Sequence, residues 1–105
     1  MKPKIIRTIE GLRRETAKWR GDDLTIAIVP TMGALHEGHL TLVAEGLEHA
    51  DRVIVTIFVN AKQFGANEDL SRYPRDEAGD VAKLAAAGAH LIFAPATDEI
   101  YGENF

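Results

Sequence analysis

Residues 30–43 read PTMGALHEGHLTLV, and this stretch sets the fold. A β-branched apolar run, LTIAIVP, leads into it over residues 24–30. Such a run reads as a strand stopped by Pro30. Beyond the turn, Leu40, Val43, Ala44 and Leu47 recur at spacings of three and four, which predicts a helix with one apolar stripe. The stretch is therefore strand, glycine-containing turn, helix. His36 and His39 flank Gly38 where that helix begins.

The same alternation continues outward. Upstream, TIEGLRRETAKWR (residues 8–20) spaces Ile9, Leu12 and Trp19 for a helix, with Thr8 as its N-cap and GDD as its end. Trp19 reads as packing. Downstream, DRVIVTIFVN (residues 51–60) is apolar on both faces, as a central parallel strand must be. Residues 60–75 form a long polar connection, a length that in compact domains goes with function or mobility. Asp76 then caps a helix whose stripe is Val81, Leu84 and Ala85, and Gly88 stands at its C-terminal end. AHLIFAP is a further strand, stopped by Pro95, and TDEIYGENF opens another helical turn. The predicted order is α, then β-α-β-α-β. Parallel pairing and right-handed crossovers follow, giving a three-stranded portion of a doubly wound α/β sheet.

Composition removes several function classes. With 105 residues there is room for one small domain. The share of hydrophobic residues, 46%, is that of a globular chain. A formal charge of −4 points away from nucleic acid or an anionic membrane as partner. There is no cysteine for a disulfide or a thiolate metal site. The apolar runs are of strand length, so no membrane span or signal peptide is expected, and a cytoplasmic setting is the default.

In such sheets ligands bind beyond the carboxyl ends of the strands, where TMGALHEGH falls. Gly33 lets the backbone turn, and Gly38 leaves room for a ligand near the helix start. Unpaired N–H groups at that helix N-terminus suit a phosphate. His36 and His39, three apart, share one side of the first turn, and each imidazole can donate to a phosphate oxygen or carry a proton near neutral pH. The glycine spacing is neither that of a P-loop nor of a dinucleotide loop. Taken alone, two histidines in H-x-x-H are more often an incidental polar pair or a helix cap; their position after a strand and before a helix raises the phosphate reading above that. No convincing third ligand accompanies them, which argues against a metal site.

FVNAKQFG, at the end of the central strand, offers Asn60 and Gln63 as hydrogen-bonding groups between Phe58 and Phe64, a mixture suited to a small polar acid. Asn60 as a strand breaker and Phe64 as a core residue is the plainer alternative. Arg72, Tyr73 and Arg75 can position an anion or form a solvated loop, and Lys62 is a weaker candidate. His49, near a helix C-terminus, and His90, at a strand start, read as structural, and Glu37 suits the helix dipole.

H-x-G-H after the first strand of an α/β sheet resembles the signature of nucleotidyltransferases and class I aminoacyl-tRNA synthetases. VPTMGALHEGHLTLV, VTIFVNAKQFG and DLSRYPRDEAGDVAKLAAAGAHLIFAPATDEIYG together resemble the N-terminal part of the pantoate–β-alanine ligase family, over nearly the whole chain. The resemblance implies a Rossmann-like fold of the HIGH type, of which residues 1–105 would be an N-terminal part, with the remainder of the domain and a C-terminal domain absent. It implies ATP-dependent condensation of pantoate with β-alanine through a pantoyl adenylate, with Mg²⁺ accompanying ATP, in a cytoplasmic homodimer. Met32, Gly33, Ala34, Leu35, His36, Glu37, Gly38 and His39 would then line ATP, with His39 and His36 as catalytic residues and His39 as proton donor when pyrophosphate leaves. Pro30, Thr31, Met32, Phe58, Asn60 and Gln63 would face pantoate and β-alanine. Ala61 departs from the proline usual in the family, which loosens the loop carrying Gln63. Family members continue with a second nucleotide-binding segment, a second pantoate-binding Gln and a Ser-Ser-Arg stretch, so the chain is expected to be truncated and weakly active or inactive. Another H-x-G-H nucleotidyltransferase, or a non-catalytic nucleotide-binding or assembly module, is the competing function.

Overall fold

The computed structural model describes residues 3–58 and 76–96. Its elements run β1 (Lys4–Ile6), α1 (Ile9–Gly21), β2 (Ile26–Thr31), α2 (Glu37–His49), β3 (Arg52–Ile57), α3 (Glu77–Ala87) and β4 (Leu91–Phe93). The strands form one parallel sheet in the order β1-β4-β3-β2. The expected α, β-α-β-α-β order is thus preceded by one more strand. At three residues, β1 is too short to show a period, and it exists through its pairing with β4, where Ile5 lies opposite Ile92.

β3 is the hydrophobic centre. It pairs with β2 on one side and β4 on the other, and Val53, Ile54 and Val55 are buried. Because successive side chains point to opposite faces, these residues feed two cores. Val53 and Val55 join Val29, Val43, Leu84 and Ile92 beneath α2 and α3. Ile54 joins Leu91 and Phe93 on the other face, where Ile9, Leu12 and Trp19 of α1 pack against them. The sheet is therefore covered on both faces, as a parallel sheet requires.

The expected caps form. Thr8 accepts from the Gly11 amide at the start of α1, and Asp76 accepts from the Gly79 amide at the start of α3. Gly88 ends α3 in the left-handed conformation, φ 95°. Two details differ from expectation. β2 runs one residue past Pro30, which the sheet tolerates because among the described residues β2 pairs on one side only, with β3. On α2 only Val43 is fully buried, while Ala44 and Leu47 are exposed. The stripe turns inward through Gly46 instead, where a Cβ would come within 3.1 Å of Val53 Cγ2. At the far end of the sheet Asp51 accepts from the amide and hydroxyl of Thr25, tying β2 to β3 and holding the Asp51 carboxyl below its ordinary range.

Leu84 is fully buried between α3 and the sheet. Leu84→Ala is expected to cost about 2–5 kcal/mol, by lost transfer energy and a residual cavity. Urea unfolding measures it, and a loss under about 1 kcal/mol would show that α3 does not anchor the core.

Candidate functional site

The segment from Thr31 to His39 lies at the carboxyl end of β2, beside the end of β3. Thr31 is buried. Its hydroxyl donates to the Thr56 carbonyl at 2.8 Å and accepts from the Gly33 amide at 3.2 Å, while its carbonyl accepts from the Phe58 amide at 3.0 Å. Phe58 and Thr31 are therefore brought together. The chain then turns through two left-handed residues, Gly33 at φ 88° and Ala34 at φ 51°. Left-handed backbone is free of a Cβ penalty at Gly33 but costs roughly 1 kcal/mol at Ala34.

A buried side chain from α3 holds this turn. Asp80, 2% exposed, accepts from the Ala34 amide at 3.0 Å with one carboxylate oxygen and from the Leu35 amide at 2.9 Å with the other. Lys83, one turn further along α3, donates to the Leu35 carbonyl at 3.0 Å. The Leu35 side chain is itself buried in the core.

The two histidines then cap α2 on each other. His36 is the N-cap, and its Nδ1 accepts from the Gly38 amide at 3.0 Å. His39 Nδ1 accepts from the His36 amide at 3.2 Å, completing a reciprocal capping box in which imidazoles replace the usual hydroxyl and carboxylate. The ring centroids are 4.2 Å apart and tilted by 43°. An Nδ1 that accepts carries no proton, so in the neutral state both rings bear hydrogen on Nε2. Burial, followed by the neighbouring His36, lowers the His39 pKa below its ordinary 6.5, against the opposing pull of Asp80. At neutral pH His39 therefore offers a neutral N–H.

Side chains take several amides around this helix start: those of Gly33, Ala34 and Leu35 in the preceding turn, and those of His36 and Gly38 at the helix itself. A Cβ at Gly38 would come within 2.8 Å of His36 Cε1, so the glycine makes room for that imidazole. The hydrogen-bond donors directed by this arrangement are the two Nε2–H groups. Capping and donation are not alternatives here, since capping uses one ring nitrogen and frees the other.

Of the other candidates, Pro30 is exposed at the end of β2, Met32 is half-buried and Glu37 is exposed in the first turn of α2. His49 lies in the last turn of α2. His90 is structural: its Nδ1 accepts from the Val53 amide at 3.0 Å, and burial, helped by Arg52, lowers its pKa. Asn60, Gln63, Lys62, Phe64, Arg72, Tyr73 and Arg75 lie outside the described residues. Among the described residues no three His, Asp or Glu side chains are placed to hold a metal, and no helix is long and apolar enough to cross a membrane. Asp80 and Lys83 escaped the sequence reading. The available signal was Asp80 itself, a carboxylate four residues before Leu84 on the apolar side of its helix.

The family model for pantoate-beta-alanine ligase matches residues 4–105. The chain belongs to that family. It is 54% identical to pantothenate synthetase from Paramagnetospirillum magneticum over 96% of its own length, and 54% identical to that from Chelativorans sp. over all of it. It spans 36% and 37% of the lengths of those two relatives. A pantothenate synthetase crystal structure from Thermus thermophilus superposes with a TM-score of 0.85 at 42% identity, covering 97% of this chain and 35% of that one. The Francisella tularensis ligase, crystallised with a β,γ-type ATP compound and β-alanine, superposes at 0.81 with 33% identity, covering 96% of this chain and 38% of that one. The fold is thus the Rossmann-like fold of the HIGH nucleotidyltransferases.

His39 and His90 both have folded pKa values below 6.5, so the unfolded chain takes up more protons on acidification. The stability they contribute is complete above about pH 6.5 and is lost as pH falls from there through the folded values. The urea midpoint is expected to drop between about pH 7.5 and 5.5, and a constant midpoint would refute this assignment. Gly38→Ala is expected to displace the His36 ring, cost about 1 kcal/mol as other lost N-caps do, and abolish the Nε2–H signature of His36 in ¹⁵N NMR. Retention of that signature would show that the ring has room to spare.

Proposed function

We propose that this chain forms the nucleotide-facing part of a pantothenate synthetase, and that His36 and His39 grip the phosphates of an Mg²⁺–ATP substrate through their Nε2–H groups. The observation that carries the reading is the reciprocal cap, which engages Nδ1 of both rings and leaves Nε2 of each to donate at the carboxyl end of β2, in a chain of this family. The reaction begins with two anions. The pantoate carboxylate attacks the α-phosphorus of ATP, pyrophosphate departs, and pantoyl adenylate forms. The β-alanine amine then attacks the activated acyl carbon, AMP departs, and pantothenate is released.

Charge accumulates on the phosphate oxygens as pyrophosphate leaves. Fixed N–H donors aimed there lower the barrier without reorganising, and one such donor is commonly worth about 10²–10³ in rate. His39 and His36 are the catalytic residues in this sense, each donating a hydrogen bond from Nε2–H to the departing oxygens, since a neutral ring that surrendered that proton would be left as imidazolate. Met32, Gly33, Ala34, Leu35, Glu37 and Gly38 would line the nucleotide with His36 and His39. Pro30, Thr31, Met32 and Phe58, together with Asn60 and Gln63, would form the pantoate and β-alanine side. A cytoplasmic homodimer belongs to the same reading. Because the chain spans 36% of its relative from Paramagnetospirillum magneticum, we assign it nucleotide contact and not turnover by itself.

Titration of the ¹⁵N-labelled chain with Mg²⁺–ATP tests the reading. The Nε2 resonances of both histidines and the amides of residues 31–39 are expected to shift. His36→Ala and His39→Ala should each weaken binding by about 10- to 100-fold, the worth of a hydrogen bond to a charged group. A dispersed spectrum with no shift at either imidazole would sink the nucleotide reading. Pantothenate production by the isolated chain would overturn the division of labour.

A further inference from the structure

We propose that Asp80 is a positioning residue for the two histidines: a buried carboxylate on α3 that fixes the Ala34–Leu35 turn and thereby aims the His36 and His39 rings. The proposal deepens the nucleotide reading and rests on it only for the purpose of the aim, not for the contact itself.

The argument starts from cost. Asp80 is 2% exposed, and among the described residues no salt bridge reaches it. Burying a carboxylate without a cation is expensive, and it is tolerated only when fixed donors replace the lost water. Both donors here are backbone amides 46 and 45 residues earlier in the chain, those of Ala34 and Leu35. Helix packing alone does not call for an acid at this point, since an apolar residue would fill the space more cheaply. The turn does call for one. Ala34 holds a left-handed φ of 51°, and neither its amide nor that of Leu35 has a partner in a helix or strand ladder.

The consequence passes directly to the site. Leu35 precedes His36, whose extended backbone, φ −135° and ψ −177°, makes it the N-cap of α2. The His36 amide is the group on which His39 Nδ1 rests. Fixing the Leu35 amide from Asp80 and the Leu35 carbonyl from Lys83 fixes the peptide plane from which both rings are set. There is a second effect. By occupying the amides of Ala34 and Leu35, Asp80 removes them as anion-binding groups, so an incoming phosphate meets imidazole N–H donors in place of a backbone nest.

The test uses the full chain, ¹⁵N-labelled, with Asp80→Asn, Asp80→Glu and Lys83→Met. The side-chain ¹⁵N shifts of His36 and His39 are read without nucleotide, together with amide exchange at residues 34 and 35 and Mg²⁺–ATP affinity. A carboxamide presents one acceptor to two N–H groups. In Asp80→Asn, exchange at one or both amides is expected to rise about tenfold or more, as when a charge-assisted hydrogen bond is lost. The Nδ1 and Nε2 shifts of both rings should converge as the single tautomer is lost. Asp80→Glu restores both acceptors and is expected to recover part of the tautomer signature. A folded Asp80→Asn chain with unchanged imidazole shifts overturns the proposal, whatever happens to its melting temperature. If that variant does not fold, Lys83→Met decides, because Lys83 is exposed; a smaller change in the same direction at His36 supports the proposal, and unchanged rings overturn it. Rings that move in the variants of a chain that shows no response to Mg²⁺–ATP would leave the positioning role standing while removing the nucleotide reading.

Discussion

Two backbone N–H groups, those of Ala34 and Leu35, leave the end of β2 before α2 can accept them, and one buried carboxylate takes both. The candidate site depends on that exchange. A turn with Ala34 in left-handed backbone does not hold itself, and an unsatisfied buried amide costs about 1–3 kcal/mol. Asp80 replaces water for both donors at once, and Lys83 holds the following carbonyl. The turn therefore belongs energetically to α3 as much as to the chain on either side of it.

From that fixed turn the chemistry follows by counting donors. A helix start offers amides that commonly receive an anion. In this chain the amides of His36 and Gly38 are taken by side chains, and those side chains are histidines. Each imidazole has two nitrogens, so a cap on Nδ1 leaves Nε2–H for a ligand. The same hydrogen bonds that stabilise α2 thus determine the tautomer of both rings. Burial and mutual proximity keep His39 neutral, which suits donation to an anion without adding charge repulsion between the two rings.

The sheet supplies the scaffold for this arrangement. β3, buried on both faces, holds β2 in register from Ile26 opposite Arg52 to Thr31 opposite Ile57. Thr31 and Phe58 end side by side because of that register, and the Phe58 amide bonds to the Thr31 carbonyl. Arg7, just after β1, forms a two-pronged ion pair with Glu77 at the start of α3 and holds its carboxyl below the ordinary range. α3 is therefore tied to the strand ends at its first turn, close in sequence to Asp80. The pantoate-beta-alanine ligase family to which the chain belongs includes a relative nearly three times as long, of which this chain spans 36%.

Much of this was legible in the sequence. The two-faced apolar run of β3, the stripe of α1 with Thr8 before it, and Asp76 and Gly88 around α3 are local patterns, and each element formed where its pattern lies. The spacing of His36 and His39 put both on the first turn of a helix, and the motifs around them carried the family. Other features had no local signature. β1 is three residues long and gains its hydrogen bonds only from β4, nearly ninety positions later in the chain. Whether the histidines cap or donate was undecidable from spacing, because the answer lies in which ring nitrogen faces the backbone. Asp80 is an acid in the first turn of a helix, and only the fold carries it to the amides of Ala34 and Leu35. Periodicity and capping act within a few residues, so the sequence alone determined the elements and their order. The partners of Ala34, Leu35 and the two rings were decided by tertiary structure, because buried donors accept whichever acceptor the packed chain brings within reach.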